Sequence, residues 1–130
     1  MLKLSHVKKT FNKGTVTEKR ALTGVDLTLN DGDFVTVIGG NGAGKSTLLN
    51  MIAGVYPLDS GVIELDGTDI SRLSESQRAR YLGRVFQDPM RGTAADMQIA
   101  ENLALAKRRG QHRSLSWGVT KAEKDEYVEL

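Results

Sequence analysis

Near the start of the chain, apolar and polar positions roughly alternate. Leu2, Leu4 and Val7 do so over residues 2–8, and Val25, Leu27 and Leu29 over residues 21–29. This is the period of a half-buried strand. The polar stretch from Asn12 to Arg20 between them fits a hairpin connection. Asp31-Gly32 is a turn signal. After it, Phe34-Val35-Thr36-Val37-Ile38 is apolar at nearly every position. A short β-branched run of this kind, ended by glycine, predicts a parallel strand buried on both faces. The period then lengthens. Leu48, Leu49, Ile52 and Ala53 fall at helical spacing, with Gly54 at a C-cap position and Pro57 beyond it. The pattern predicts strand, glycine loop, helix.

Further along, Asp59-Ser60-Gly61 and Asp66-Gly67 are turns flanking a strand over 62–65. Residues 74–81 read as a short helix. Val85-Phe86 reads as the end of a second buried strand, broken by Asp88-Pro89. Ile99, Leu103 and Ala106 share one face of a helix over 98–108. Residues 109–118 are rich in Gly, Arg and Ser and read as loop, and 120–130 open another helix. There is no internal repeat or low-complexity tract.

Composition narrows the function classes. At 130 residues the chain is one domain's worth. It is 39% hydrophobic and 26% charged, as in ordinary globular proteins. Eighteen basic against 16 acidic residues leave +2, too near neutral to argue for nucleic acid or an anionic membrane. With no cysteine, disulfides and thiol chemistry are excluded. No apolar run approaches the ~18–20 residues of a membrane helix, and MLKLSHVKKTF lacks the apolar core of a signal peptide. The expectation is a chain that neither crosses a membrane nor is exported by that route, but can dock onto a membrane protein.

The chemistry lies in GGNGAGKSTLL, residues 39–49, which fits G-x-x-x-x-G-K-[ST] through Gly39, Gly44, Lys45 and Ser46. A phosphate chain needs donors packed closely around it. Glycines let the backbone over Gly39, Gly40, Asn41, Gly42, Ala43 and Gly44 curl so that successive N–H groups point inward. The helix that follows adds its N-terminal amides and dipole. Lys45 would set an ammonium on the β- and γ-phosphates. Ser46 would hold Mg²⁺ bridging them, and Thr47 would reach the α-phosphate. The competing reading is a glycine-rich turn with a surface lysine, but the preceding apolar strand and following apolar helix favour the phosphate loop. A dinucleotide loop is excluded, because a G-x-G-x-x-G started at Gly42 ends on Thr47.

With these residues the chain resembles the ATP-binding cassette (ABC) ATPases. AGVYPLDSGVIELDG (53–67) and GRVFQDP (83–89) are also similar to that family. The resemblance covers essentially the whole chain and is most specific over 22–103. It implies an α/β fold: a P-loop NTPase core with an ABC-type antiparallel β-subdomain, cut before the Walker B region. Residues 1–87 would be the β-subdomain and core through the Q-loop, and 88–130 the start of the helical subdomain. Phe11 matches the aromatic that stacks on adenine, its alternative being a plain core or loop phenylalanine. Gln87 matches the Q-loop glutamine, which touches Mg²⁺ or the attacking water; with Lys45 it carries the implied catalytic roles. MQIAENLAL (97–105) matches the helix after the Q-loop, read as a structural and docking element.

LSESQRAR (73–80) superficially resembles the family's signature, L-S-G-G-Q. It precedes the Q-loop, and Glu75 and Ser76 replace both glycines. Its reading is a solvated helix start with Ser74 as N-cap. His6, His112, Trp117 and the basic run Lys107-Arg108-Arg109 with Arg113 are assigned to surface or packing.

The resemblance implies MgATP as ligand and an ATP-binding subunit of an ABC transporter on the cytoplasmic face of the membrane. Its partners would be transmembrane permease subunits, a second cassette and a substrate-binding protein, with no nucleic acid. The segment after the Q-loop looks importer-like, of the branch that accompanies tryptophan/tyrosine-like binding proteins. No apolar strand ending in Asp-Glu, signature motif or switch histidine follows Gln87. The expectation is therefore a chain that binds MgATP, hydrolyses it poorly alone, and self-associates through exposed sheet edges. The rival readings are a soluble ABC ATPase of DNA repair or translation, a non-catalytic nucleotide-binding module, and a GTPase or nucleotide kinase. Against the GTPase, Asn12-Lys13-Gly14-Thr15 lacks the aspartate of N-K-x-D.

Overall fold

The alternating segments form an antiparallel sheet. In the computed structural model, β1 (Leu2–Phe11) pairs with β2 (Lys19–Leu29) on one side and β3 (Ser60–Leu65) on the other. The short β4 (Thr68–Asp69) pairs with β3, giving the order β2-β1-β3-β4. The structure describes residues 1–86, 88, 90, 92–109 and 118–128, and of Val128 the backbone only. They divide into two units, Met1–Arg78 and Ala79–Leu130.

The uneven spacing from Leu4 to Val7 has a structural cause. The β1–β2 ladder shifts register between Leu4 and Val7, the β1–β3 ladder between Ser5 and Lys8, and His6 takes a left-handed φ of 49°. The bulge returns Val7 to the inner face. Leu4, Val7 and Ile63 are buried there and pack with Leu22, Ile70, and Leu48 and Met51 of α1 (Lys45–Ala53). This core fastens the helix of the glycine loop to the sheet.

Two predicted strands do not form. Phe34 to Ile38 belongs to no strand or helix, with Phe34 95% and Ile38 89% exposed. Val85 is likewise exposed and not in a strand. A parallel strand takes its hydrogen bonds from flanking strands, and among the described residues none lies beside either run. The predicted helix over 74–81 is a single turn, α2 (Glu75–Arg78). It starts as expected: Ser74 N–H donates to Gln77 Oε1 at 2.9 Å, and Gln77 N–H to Ser74 Oγ at 3.4 Å.

Arg78 closes the first unit. It is 1% exposed. Its Nη1 donates to the carbonyls of Met51 (2.7 Å) and Ile52 (2.9 Å), the last turn of α1. Nη2 donates to Ser71 O and Nε to Leu73 O, both at 2.9 Å. Burial pulls this guanidinium below its usual pKa, with Asp69 opposing. A cation at a helix C-terminus also satisfies the dipole.

In the second unit, α3 (Ile99–Lys107) contacts α4 (Lys121–Val128). Glu101 accepts a bond from Gln98 N–H at 2.8 Å, closing the first turn of α3. Asn102 accepts from Ala94 N–H (2.8 Å) and donates to the carbonyls of Ala94 (3.0 Å) and Met97 (3.2 Å). Glu101 and Asn102 of MQIAENLAL thus have a local structural role. Arg108 Nη2 lies 2.9 Å from Glu123 Oε1 and ties the two helices together. The loop predicted over 109–118, with His112, Arg113 and Trp117, lies largely outside the described residues.

Candidate phosphate-binding site

The glycine loop opens α1 as its sequence requires. Gly44 is the N-cap, with φ 86° and ψ 0°. A Cβ there would meet the Ala21 carbonyl oxygen and the Leu22 side chain, so both conformation and space demand glycine. Gly42 also has positive φ, 81°. Leu48 N–H bonds to Gly44 O at 2.8 Å, starting the helix. The first turn of α1 contains no acidic residue, so nothing on it opposes an anion at its N-terminus.

Lys45 folds back over this loop. Its Nζ donates to Gly39 O at 2.6 Å and to Gly40 O at 2.8 Å. The ammonium is therefore already held at the loop, by acceptors that a phosphate oxygen would replace. Ser46 is exposed and Thr47 half-buried, both in the first turn after Lys45.

Phe11 ends β1 directly opposite Lys19. Its ring meets Tyr56 edge-on, with centroids 5.2 Å apart, and the Lys9 ammonium lies 5.6 Å from the ring centroid. Lys9 is buried and donates to Pro57 O (2.8 Å) and Asp59 Oδ1 (3.1 Å). Burial raises the Asp59 carboxyl, but the Thr10 N–H and the Lys9 ammonium outweigh it and hold the group below its ordinary value. The aromatic and the loop helix thus belong to one packed unit. Tyr56, Lys9 and Asp59 escaped the sequence reading because their partners are distant along the chain. Gln87 lies outside the described residues.

Comparisons with known proteins bear on the family and the fold. The family model for ABC transporters matches residues 22–129. A tyrosine transport ATP-binding protein of Clostridioides difficile is 41% identical over 111 residues, 85% of this chain and 44% of that protein. A spermidine/putrescine import ATP-binding protein of Haemophilus influenzae is 36% identical over 108 residues, 83% of this chain and 27% of that one. The chain thus spans less than half the length of these relatives. Among solved structures, a bacterial ABC transporter cassette in dimeric form superposes with a TM-score of 0.76 at 27% identity, covering 99% of this chain and 55% of that one. The same cassette in a post-hydrolysis state bound to ADP and Pi gives 0.75 at 26% identity, with the same coverages.

Proposed function

This chain belongs to the ABC transporter family, and from that premise we propose that it carries the ATP-gripping part of a transport motor. The observation that carries the reading is the Lys45 ammonium, bonded to Gly39 and Gly40 carbonyls at the acid-free N-terminus of α1.

In this reading the backbone of Gly39, Gly40, Asn41, Gly42, Ala43 and Gly44 cradles the phosphates, Lys45 neutralises them, and Thr47 adds a hydroxyl contact. Phe11 faces the adenine. Hard oxygen donors suit Mg²⁺: the Ser46 hydroxyl supplies one, and Gln87 is proposed as another. Bound there, the ion would offset the negative charge of the phosphates. Residues 1–87 form the nucleotide part and 88–130 begin the helical part.

Two such cassettes would close on MgATP and reopen after hydrolysis, driving permease subunits from the cytoplasmic face. The dimeric structural relative supports the pairing. The relative named for spermidine/putrescine import supports the importer direction. The one named for tyrosine transport supports amino-acid-type cargo; in this reading a binding protein would deliver it, and other subunits would select it. Among the described residues no helix is long and apolar enough to cross a membrane.

Isothermal titration with MgATP tests the site. Wild type should bind, and Lys45→Ala should lose at least about tenfold in affinity, the worth of a charge-assisted bond. Equal affinities would overturn the proposal.

A further inference from the structure

We infer that Lys19 is a second phosphate-binding cation of this site, reaching the loop from the sheet. The inference rests on the nucleotide reading above and assigns a further residue to it. Lys19 is the first residue of β2, paired with Phe11. Directly opposed residues of an antiparallel pair project from the same face. The candidate adenine platform and this lysine are thus neighbours by register. From there the ammonium reaches the middle of the loop: a Cβ on Gly42 would lie 3.5 Å from Lys19 Nζ.

The strand backbone fixes this approach. Two residues on, Ala21 sets its carbonyl against Gly44. The start of β2 therefore runs along the loop from Gly42 to Gly44. The neighbouring cations are engaged elsewhere. Arg20 Nε lies 3.6 Å from Glu18 Oε1, and Lys9 is buried against Asp59. Among the described residues no carboxylate or carbonyl takes the Lys19 ammonium in a hydrogen bond or ion pair. The loop is therefore flanked by two ammoniums, Lys45 on Gly39 and Gly40 and Lys19 over Gly42.

A lysine presents a compact charge with three donors, and its attraction grows with the charge of the ligand. Lys19 should favour di- and triphosphates over a monophosphate. A packing role, or a contact to base or ribose alone, would affect all three equally.

The test is titration of the full chain with MgATP, MgADP and AMP at low and high salt. It compares wild type, Lys19→Ala, Lys19→Arg and Lys45→Ala. Lys19→Ala should weaken MgATP and MgADP roughly three- to tenfold and AMP by less than about twofold. Lys19→Arg should stay close to wild type, and the deficit of the alanine variant should shrink in high salt. The ligand-free unfolding temperature should not move. Unchanged MgATP affinity in Lys19→Ala, or an equal loss for AMP and ATP, would overturn the role of Lys19 alone. A wild type that takes up no MgATP, or a Lys45→Ala variant that binds as well as wild type, would overturn the nucleotide reading itself.

Discussion

A Cβ on Gly44 would stand 2.6 Å from the carbonyl oxygen of Ala21. The loop's curl is thus set from outside as well as from within, because β2 occupies the space a side chain would need. Gly44→Ala should therefore fail twice over, through the left-handed φ and through the collision with the strand. Its cost should be roughly 1–3 kcal/mol of stability, with MgATP binding lost. Thermal unfolding and titration of the same sample check both; a variant that keeps wild-type affinity contradicts the account.

Arg78 is a second control point, at the other end of α1. Arg78→Met keeps an apolar stem but removes the guanidinium donors to four carbonyls, of which Met51 O retains the Gly54 N–H. The expected loss is roughly 2–4 kcal/mol. It should be visible as a lower urea midpoint and as faster amide exchange in the last turn of α1. An unchanged midpoint would show that water or a neighbour replaces the guanidinium at no cost.

The helices of the second unit should be acid-sensitive. Glu123 accepts bonds from the Thr120 N–H, from Arg108 and from the Thr120 hydroxyl, and these lower its carboxyl from 4.5 to about 2. A carboxyl depressed in the folded state stabilises it fully above its unfolded value. That contribution fades as pH falls from about 4.5 towards 2. Carbon-detected NMR titration should find Glu123 still charged at pH 3, with Arg108 shifts following it. Titration at an ordinary glutamate value would remove the contact.

The unpaired run should be adhesive. Replacing Phe34 and Ile38 with serine removes two exposed apolar side chains that contact little. It should change stability by no more than about 0.5 kcal/mol. The population should shift towards monomer on a sizing column. If the wild type already runs as a monomer at high concentration, this expectation fails.

The parts of this fold that were legible in the sequence are those whose physics is local. The glycine loop that opens α1 could be found because its curl needs glycine at fixed intervals. The start of α2 was found because Ser74 and Gln77 satisfy each other. The bulge at His6 left only a trace, the extra residue between Leu4 and Val7. Composition marked Phe34 to Ile38 as a segment suited to burial on both faces. Whether a ladder forms there depends on strands elsewhere, which the run does not encode. Arg78 stood in plain view in LSESQRAR, yet its acceptors in α1 lie 26 and 27 residues back. Lys19 was hidden for the same reason, since only the packing of β2 against the loop brings it to Gly42.

The bonds from Lys45 to Gly39 and Gly40 would make the proposed ligand capture a trade of acceptors. Each phosphate oxygen that engaged this ammonium would displace a carbonyl oxygen already there, so the number of hydrogen bonds at Lys45 would barely change. What changes is that a neutral acceptor gives way to an anion. The heat of binding should then be modest, and selectivity should follow the degree of phosphorylation more closely than the identity of the base.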